Sequence, residues 1–184
     1  MPALQPPACD FGWRAPPFSL LSVDGKTYDL ESVRGTAGTV IMFICNHCPY
    51  VQTAIDRIIT DMKALQAADI GVAAIMSNDT DAYPQDGFEP MKAFAASNGF
   101  TFPYLLDETQ EVARAYDAVC TPDFFGFDKD LGLQYRGRLD AGTPGRIDPD
   151  APRELHDAMR QVAQTGQGPQ DQMASIGCSI KWRG

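Results

Sequence analysis

The stretch that most constrains this chain is residues 38–66, GTVIMFICNHCPYVQTAIDRIITDMKALQ. Its first eight residues, Gly38 to Cys45, form a nearly continuous apolar and β-branched run. That is the pattern of a strand covered on both faces, not of one with a wet side. From Pro49 to Gln66 the period changes. Val51, Ile55, Ile58, Ile59, Met62 and Leu65 recur at three- and four-residue spacing, with Asp56, Arg57, Asp61 and Lys63 on the other face. This is an amphipathic helix, and Pro49 suits its first turn, where no amide partner is lost. A buried strand feeding a helix predicts an α/β domain. It also puts the junction at the strand's carboxyl end, where open α/β sheets keep their sites.

The junction reads Cys45-Asn46-His47-Cys48-Pro49. Two residues between cysteines on a first helical turn bring the sulfurs close enough for a small disulfide ring, and the helix N-terminus stabilises a thiolate there. His47, inside the ring, is expected to add positive charge and lower the Cys45 pKa further. A stabilised thiolate is a better-populated nucleophile and a better leaving group in exchange. The competing reading is half of a structural zinc site. Such a site takes four ligands, usually from two paired motifs, and no second Cys-x-x-Cys or Cys-x-x-His occurs in the chain. The pair is therefore read as a redox-active disulfide, with no bound cofactor and no metal.

Elsewhere the pattern is that of one domain over residues 1–184, with an irregular Pro-rich segment at 1–16 and an extended or docked arm at 168–184. FSLLSV, 18–23, and residues 26–30 flank Asp24-Gly25 and predict a hairpin. IGVAAIMS, 70–77, predicts a second buried strand. Residues 88–98 predict a helix stopped by Asn98-Gly99. Asp107 and Gln110 suggest a capping box for a helix running to about Asp117. Residues 123–128 and 133–139 predict an antiparallel pair, and a last helix opens at Asp150-Ala151-Pro152 and ends at Gly166.

Composition narrows the function. The chain has 24 acidic against 15 basic residues, a net charge of −9, with the basic residues scattered singly. Phosphate backbones need a concentrated basic face, so nucleic acid and anionic membrane are excluded as expected partners. No apolar run reaches the roughly 20 residues that cross a bilayer. The opening MPALQPPACDFGW does not read as a signal peptide, so a cytoplasmic protein is expected. The five cysteines are odd in number and too sparse for a disulfide scaffold. In a reducing compartment such cysteines serve chemistry or metal.

The strand–CNHCP–helix segment, followed by Cys120-Thr121-Pro122 leading into a strand, resembles the thioredoxin superfamily. More closely, the chain is similar to the peroxiredoxin-like, AhpC/TSA-like redoxins of bacteria. The likeness runs through APPFSLLSVDGKTYDL, VIMFICNHCPYV, IMSND, FPYLLDETQEVARAY, CTPDFFGFD, YRGRLD and SIGCSIKW. It implies a thioredoxin-like fold, a central mixed β-sheet flanked by helices, with an N-terminal β-hairpin and a βα insertion. It also implies thiol–disulfide oxidoreductase activity. By this resemblance Cys45 is the attacking cysteine and Cys48 the resolving one. Pro122 is a cis-proline facing the disulfide, and Thr121 offers backbone hydrogen bonds to an incoming chain. The implied partners are a disulfide-containing protein or a small thiol, disulfide or peroxide, together with an electron donor.

The chain also departs from the pattern. The buried proton-shuttling aspartate of thioredoxins is replaced by Thr39, and the tryptophan before the motif by Ile44. Aligning Cys48 with the peroxidatic cysteine of peroxiredoxins puts Ile41 and Cys45 where that family has proline and threonine. The peroxide-polarising arginine falls near Pro122, leaving Arg136 or Arg138 as substitutes. A thiol peroxidase is therefore the second reading. A third, of another class, is copper or other metal binding like that of SCO-type proteins, through Cys45 and Cys48 with a distant histidine, for which His156 is available. Cys120 is either a small buried neighbour of the site or a third thiol. Cys178 is either a docked tail residue or a resolving thiol. Cys9 has no expected role.

Overall fold

The structure, a computed structural model, describes residues 3–184. The long buried run becomes strand β4 (Gly38–Phe43) and the amphipathic segment helix α2 (Pro49–Gln66). In chain order they are preceded by β1 (Ala3–Leu4), β2 (Ser19–Ser22), β3 (Thr27–Asp29) and α1 (Leu30–Val33). They are followed by β5 (Ile70–Met76), α3 (Phe88–Asn98), β6 (Tyr104–Leu106), α4 (Glu111–Ala115), β7 (Cys120–Thr121), β8 (Asp123–Phe127), β9 (Leu133–Tyr135), α5 (Glu154–Thr165) and β10 (Gly177–Ser179).

The central sheet has seven strands in the order β3-β2-β6-β5-β4-β8-β9. β4 lies inside it, parallel to β5 and antiparallel to β8, so the sheet is mixed. All six residues of β4 are buried because both faces are covered. Val40 and Met42 turn to the side of α2, α3 and α5, where they meet Val51, Ile58, Met62, Met91 and Leu155. Ile41 and Phe43 turn to the opposite layer with Tyr116, Phe125 and Phe127. There the Tyr116 ring centroid lies 5.6 Å from Phe43 and 5.5 Å from Phe125. Each such fully buried side chain is worth about 1.5–3 kcal/mol of transfer free energy.

One glycine is required by close packing. A Cβ on Gly71 of β5 would stand 1.9 Å from the Val33 carbonyl oxygen and 2.6 Å from the Gly35 amide nitrogen. Gly71→Ala is expected to destabilise by about 1–3 kcal/mol, the range of overpacking changes. A lowered urea midpoint at unchanged m would register it.

Several boundaries differ from the sequence expectation, each for a local reason. Asp107 and Gln110 do not form a capping box. Gln110 sits in the left-handed region at φ 65°, and its side chain donates to the Ser77 and Lys181 carbonyls at 2.7 and 2.8 Å. The Asp107 carboxylate instead accepts the amides of Val112 and Ala113, and α4 ends at Ala115. The last helix begins at Glu154 instead of at Asp150-Ala151-Pro152. The second strand of the late hairpin ends at Tyr135. The segment expected to be irregular contains β1, and the C-terminal arm contributes β10. With β7 these form a small antiparallel sheet in the order β1-β10-β7. Among the described residues no helix is long and apolar enough to cross a membrane.

Candidate active site

After β4 the chain runs through Ile44 and Cys45 into a tight turn, and Cys48 is the N-cap residue of α2. Asn46, read from the sequence only as part of the motif, anchors this turn through all its polar groups. Its amide donates to Asp86 Oδ1 at 2.9 Å and its side-chain amide to the Gln85 carbonyl at 3.0 Å. Its side-chain oxygen accepts the Tyr104 hydroxyl and its carbonyl the Gln52 side chain, both at 2.9 Å.

His47 Nδ1 lies 2.6 Å from Asp86 Oδ2, and the ring stacks on Tyr83 with centroids 5.5 Å apart. Asp86 is completely buried, and its Oδ2 also accepts the Asn78 side-chain amide at 2.9 Å. Asp86 is a site residue that the sequence reading missed. It arrives from a short turn about forty positions downstream, at Pro84–Asp86. No motif or spacing relates it to the cysteines.

Both motif thiols are buried, Cys45 at 1% and Cys48 at 0% exposure. Both belong to the same buried cluster. Over them lies Thr121, whose hydroxyl is 3.5 Å from Cys45 Sγ and whose carbonyl is 3.1 Å from Cys48 Sγ. The Thr121–Pro122 bond is cis, as the resemblance implied. The Cys48 thiol donates to the Thr121 carbonyl, and the two thiols are shifted in opposite directions. The neighbouring Cys45 thiol holds Cys48 well below the usual thiol range, opposed by burial and assisted by Thr121, the Val51 amide and Cys178. Cys48 in turn holds Cys45 well above the range, reinforced by burial and by the Asp86 charge. This ordering is the opposite of the one expected for Cys45. His47 is turned toward Asp86, and the carboxylate of that pair disfavours a Cys45 thiolate.

The remaining candidates separate clearly. Cys178, on β10, is buried in the same cluster as Cys45 and Cys48 and lies opposite Thr121 across the β7–β10 pairing. The Cys120 thiol instead faces the Pro122 carbonyl at 3.5 Å, and burial pushes it above the ordinary thiol value. Cys9 packs among the residues of the opposite layer, and burial pushes its thiol up to about 11. Arg136 bonds the Asp117 carbonyl at 2.7 Å and Asp123 at 3.2 Å, and Arg138 pairs with Glu154 at 2.7 Å. Both are committed away from the thiols. Thr39 accepts the Gly35 amide at 3.2 Å, a structural contact.

The metal question takes a different form from that drawn in sequence. His156 bonds its neighbour Asp157 at 2.9 Å. Among the described residues Cys45, His47 and Asp86 each bring a ligand atom within 4.8 Å of the others, close enough to hold a metal ion. Asp86 is also engaged as the hydrogen-bond acceptor that shapes the turn. Beside the site, a cavity of about 270 Å³ is lined by Pro122, Tyr50, Arg57, Phe124, Asp140 and Ser175.

Residues 11–136 match the AhpC/TSA family. A search of curated proteins found no match. The chain is similar along its whole length to an uncharacterized conserved protein from Geobacillus kaustophilus. The identity is 45% and the TM-score 0.94, with 100% of this chain and 97% of that one covered. A hypothetical protein from Sinorhizobium meliloti 1021 is 34% identical, with a TM-score of 0.92 and 97% and 98% of the two chains covered. A thiol:disulfide interchange protein of the thioredoxin family from Chlorobium tepidum shares the fold at 18% identity, with a TM-score of 0.63 over 82% of this chain and 95% of that one.

Proposed function

Since this chain belongs to the AhpC/TSA family and has a thioredoxin-like fold, we propose that it is a thiol–disulfide oxidoreductase centred on Cys45 and Cys48. One observation carries the reading: two buried thiols at a strand–helix junction both contact Thr121, next to cis-Pro122. The Cys48 thiolate attacks one sulfur of a substrate disulfide, and the other sulfur leaves as a thiolate. Cys45 then loses its proton and attacks Cys48 Sγ, releasing the second substrate thiol and leaving the Cys45–Cys48 disulfide. The resemblance assigns the first attack to Cys45. The position of Cys48 at the N-terminus of α2 and the carboxylate beside Cys45 favour the reverse order. In this reading the protein works in the cytoplasm, requires no cofactor and is returned to the dithiol by an unidentified electron donor.

Asp86 fills the place left by Thr39. Its carboxylate lies within 4.8 Å of Cys45 Sγ, a span that one water bridges to carry away the Cys45 proton in the second step. Asp86→Asn is expected to slow turnover about 10–100-fold, the scale of a lost general base. In a Cys48→Ser background the same change should let iodoacetamide reach the Cys45 thiolate at lower pH, because a charge that raised its pKa has gone. Slower turnover with unchanged Cys45 alkylation would assign Asp86 a purely structural role.

The direct test mixes reduced protein with insulin or glutathione disulfide and compares wild type with Cys45→Ser/Cys48→Ser. Equal rates would overturn the proposal. Cys48, at the N-terminus of α2, also suits a thiol peroxidase, but peroxide cleavage needs donors aimed at the departing oxygen. Both candidate arginines are engaged elsewhere. Peroxide consumption faster than that of free cysteine in stopped flow would reverse this preference.

A further inference from the structure

The thiol pair is covered by the protein's own C-terminal arm. β10 pairs antiparallel with β7, placing Cys178 opposite Thr121 and Ser179 opposite Cys120, while β1 closes the other side of the arm. A strand edge beside a reactive dithiol is where an extended peptide adds by main-chain pairing. Here that edge is occupied by a segment that itself carries a cysteine. The fit is close: a Cβ on Gly177 would lie 2.1 Å from the Thr121 carbonyl oxygen and 3.1 Å from the Pro122 nitrogen, so only glycine lets the arm lie this flush. Farther along, Lys181 is held by Asn78 at 2.9 Å and by Gln110 at 2.8 Å, and Arg183 by Gln110 at 2.9 Å. Asn78 is the same residue that bonds Asp86.

We propose that Cys178 is a third redox thiol, presented to Cys48 by an arm docked in the position of a substrate chain. The inference rests on the reading of Cys45 and Cys48 as a thiol–disulfide centre and extends it. Starting from the Cys45–Cys48 disulfide, the Cys178 thiolate attacks Cys48 Sγ. The Cys48–Cys178 bond forms, the Cys45–Cys48 bond breaks, and Cys45 leaves as a thiolate that takes up the proton Cys178 lost. One disulfide replaces another, so no external oxidant or reductant enters. The timing is also favourable. In the dithiol, burial and the proximity of Cys48 push the Cys178 thiol up to about 11. Oxidation of Cys48 removes its charge and with it the second of these restraints.

The test uses the full chain, reduced and then treated with one equivalent of diamide, acid-quenched, alkylated and mapped by peptide mass spectrometry. Wild type is expected to contain both Cys45–Cys48 and Cys48–Cys178, the latter in at least about 10% of molecules, as for disulfides of comparable potential in exchange. Cys45→Ser should give Cys48–Cys178, and Cys178→Ser should give Cys45–Cys48 alone. If wild type and Cys45→Ser both lack the Cys178 link while Cys45–Cys48 forms, the third-thiol role is overturned and the dithiol centre stands. Cys48–Cys178 without any Cys45–Cys48 would support the third thiol and overturn the dithiol centre. Absence of both bonds would overturn the two together. The wild-type measurement needs no variant to fold.

Discussion

Replacing Cys48 with serine is expected to lower the rate of disulfide reduction by about 10³-fold or more, because the attacking atom itself is lost. Cys45→Ser should behave differently. It removes the resolving thiol but leaves Cys48 at the N-terminus of α2, so the first attack survives and the mixed disulfide accumulates. The adduct is best collected with Cys178 also changed to serine, so that no neighbouring thiol can resolve it. Intact-mass analysis after exposure to glutathione disulfide then gives the order of attack directly. A stable adduct on Cys48 supports Cys48 as the attacking thiol. A stable adduct on Cys45 in the Cys48→Ser protein, with none on Cys48 in the other, would restore the order implied by thioredoxins. The reason to expect the former is electrostatic. Cys45 stands beside a buried carboxylate that raises its pKa, whereas Cys48 is lowered and sits at the helix N-terminus.

Arg136→Ala is expected to cost about 3–5 kcal/mol of stability, the usual cost of leaving a buried charge without its partner. Asp123 is 0% exposed and Arg136 6%, joined at 3.2 Å, with the guanidinium 4.4 Å over the Phe125 ring. Even with this partner, burial pushes the Asp123 carboxyl up to about 6, with Arg136 and the Val119 amide opposing. Its Oδ1 has no hydrogen-bond partner, consistent with the folded protein favouring the protonated acid. The folded value lies above the unfolded one of about 3.9, so the native state binds the extra proton between them. Stability from this group is therefore expected to fall as pH rises from about 4 through about 6 and then to level off. Urea midpoints across that range would reveal the slope. Arg136→Ala should extend it to higher pH, and Asp123→Asn should remove it.

What could be read in the chain depended on how local its cause was. The run Gly38–Phe43 and the spacing of Val51, Ile58, Met62 and Leu65 are periodic, and the sheet and helix they predict are present. The Asn98-Gly99 stop is likewise local, since a left-handed residue ends the helix there at φ 67°. Gln110 was misread because its side chain answers to the Lys181 carbonyl, seventy-one positions away. The same distinction divides the site. Adjacent positions made Cys45, Asn46, His47 and Cys48 legible, and the resemblance added Thr121 and Pro122.

The sequence by itself thus determined an α/β redoxin domain with a dithiol at the end of its central buried strand. Side-chain period and a Cys-x-x-Cys at a strand–helix junction are properties of neighbouring residues. Which carboxylate stands beside Cys45 and which of the remaining cysteines lies in the arm over the pair were decided only by the tertiary structure. Those answers come from Asp86 and Cys178, which long-range packing and the β7–β10 pairing bring to the thiols. Electrostatic and hydrogen-bond energies fall off over a few ångströms of space, whatever the number of residues between the groups along the chain.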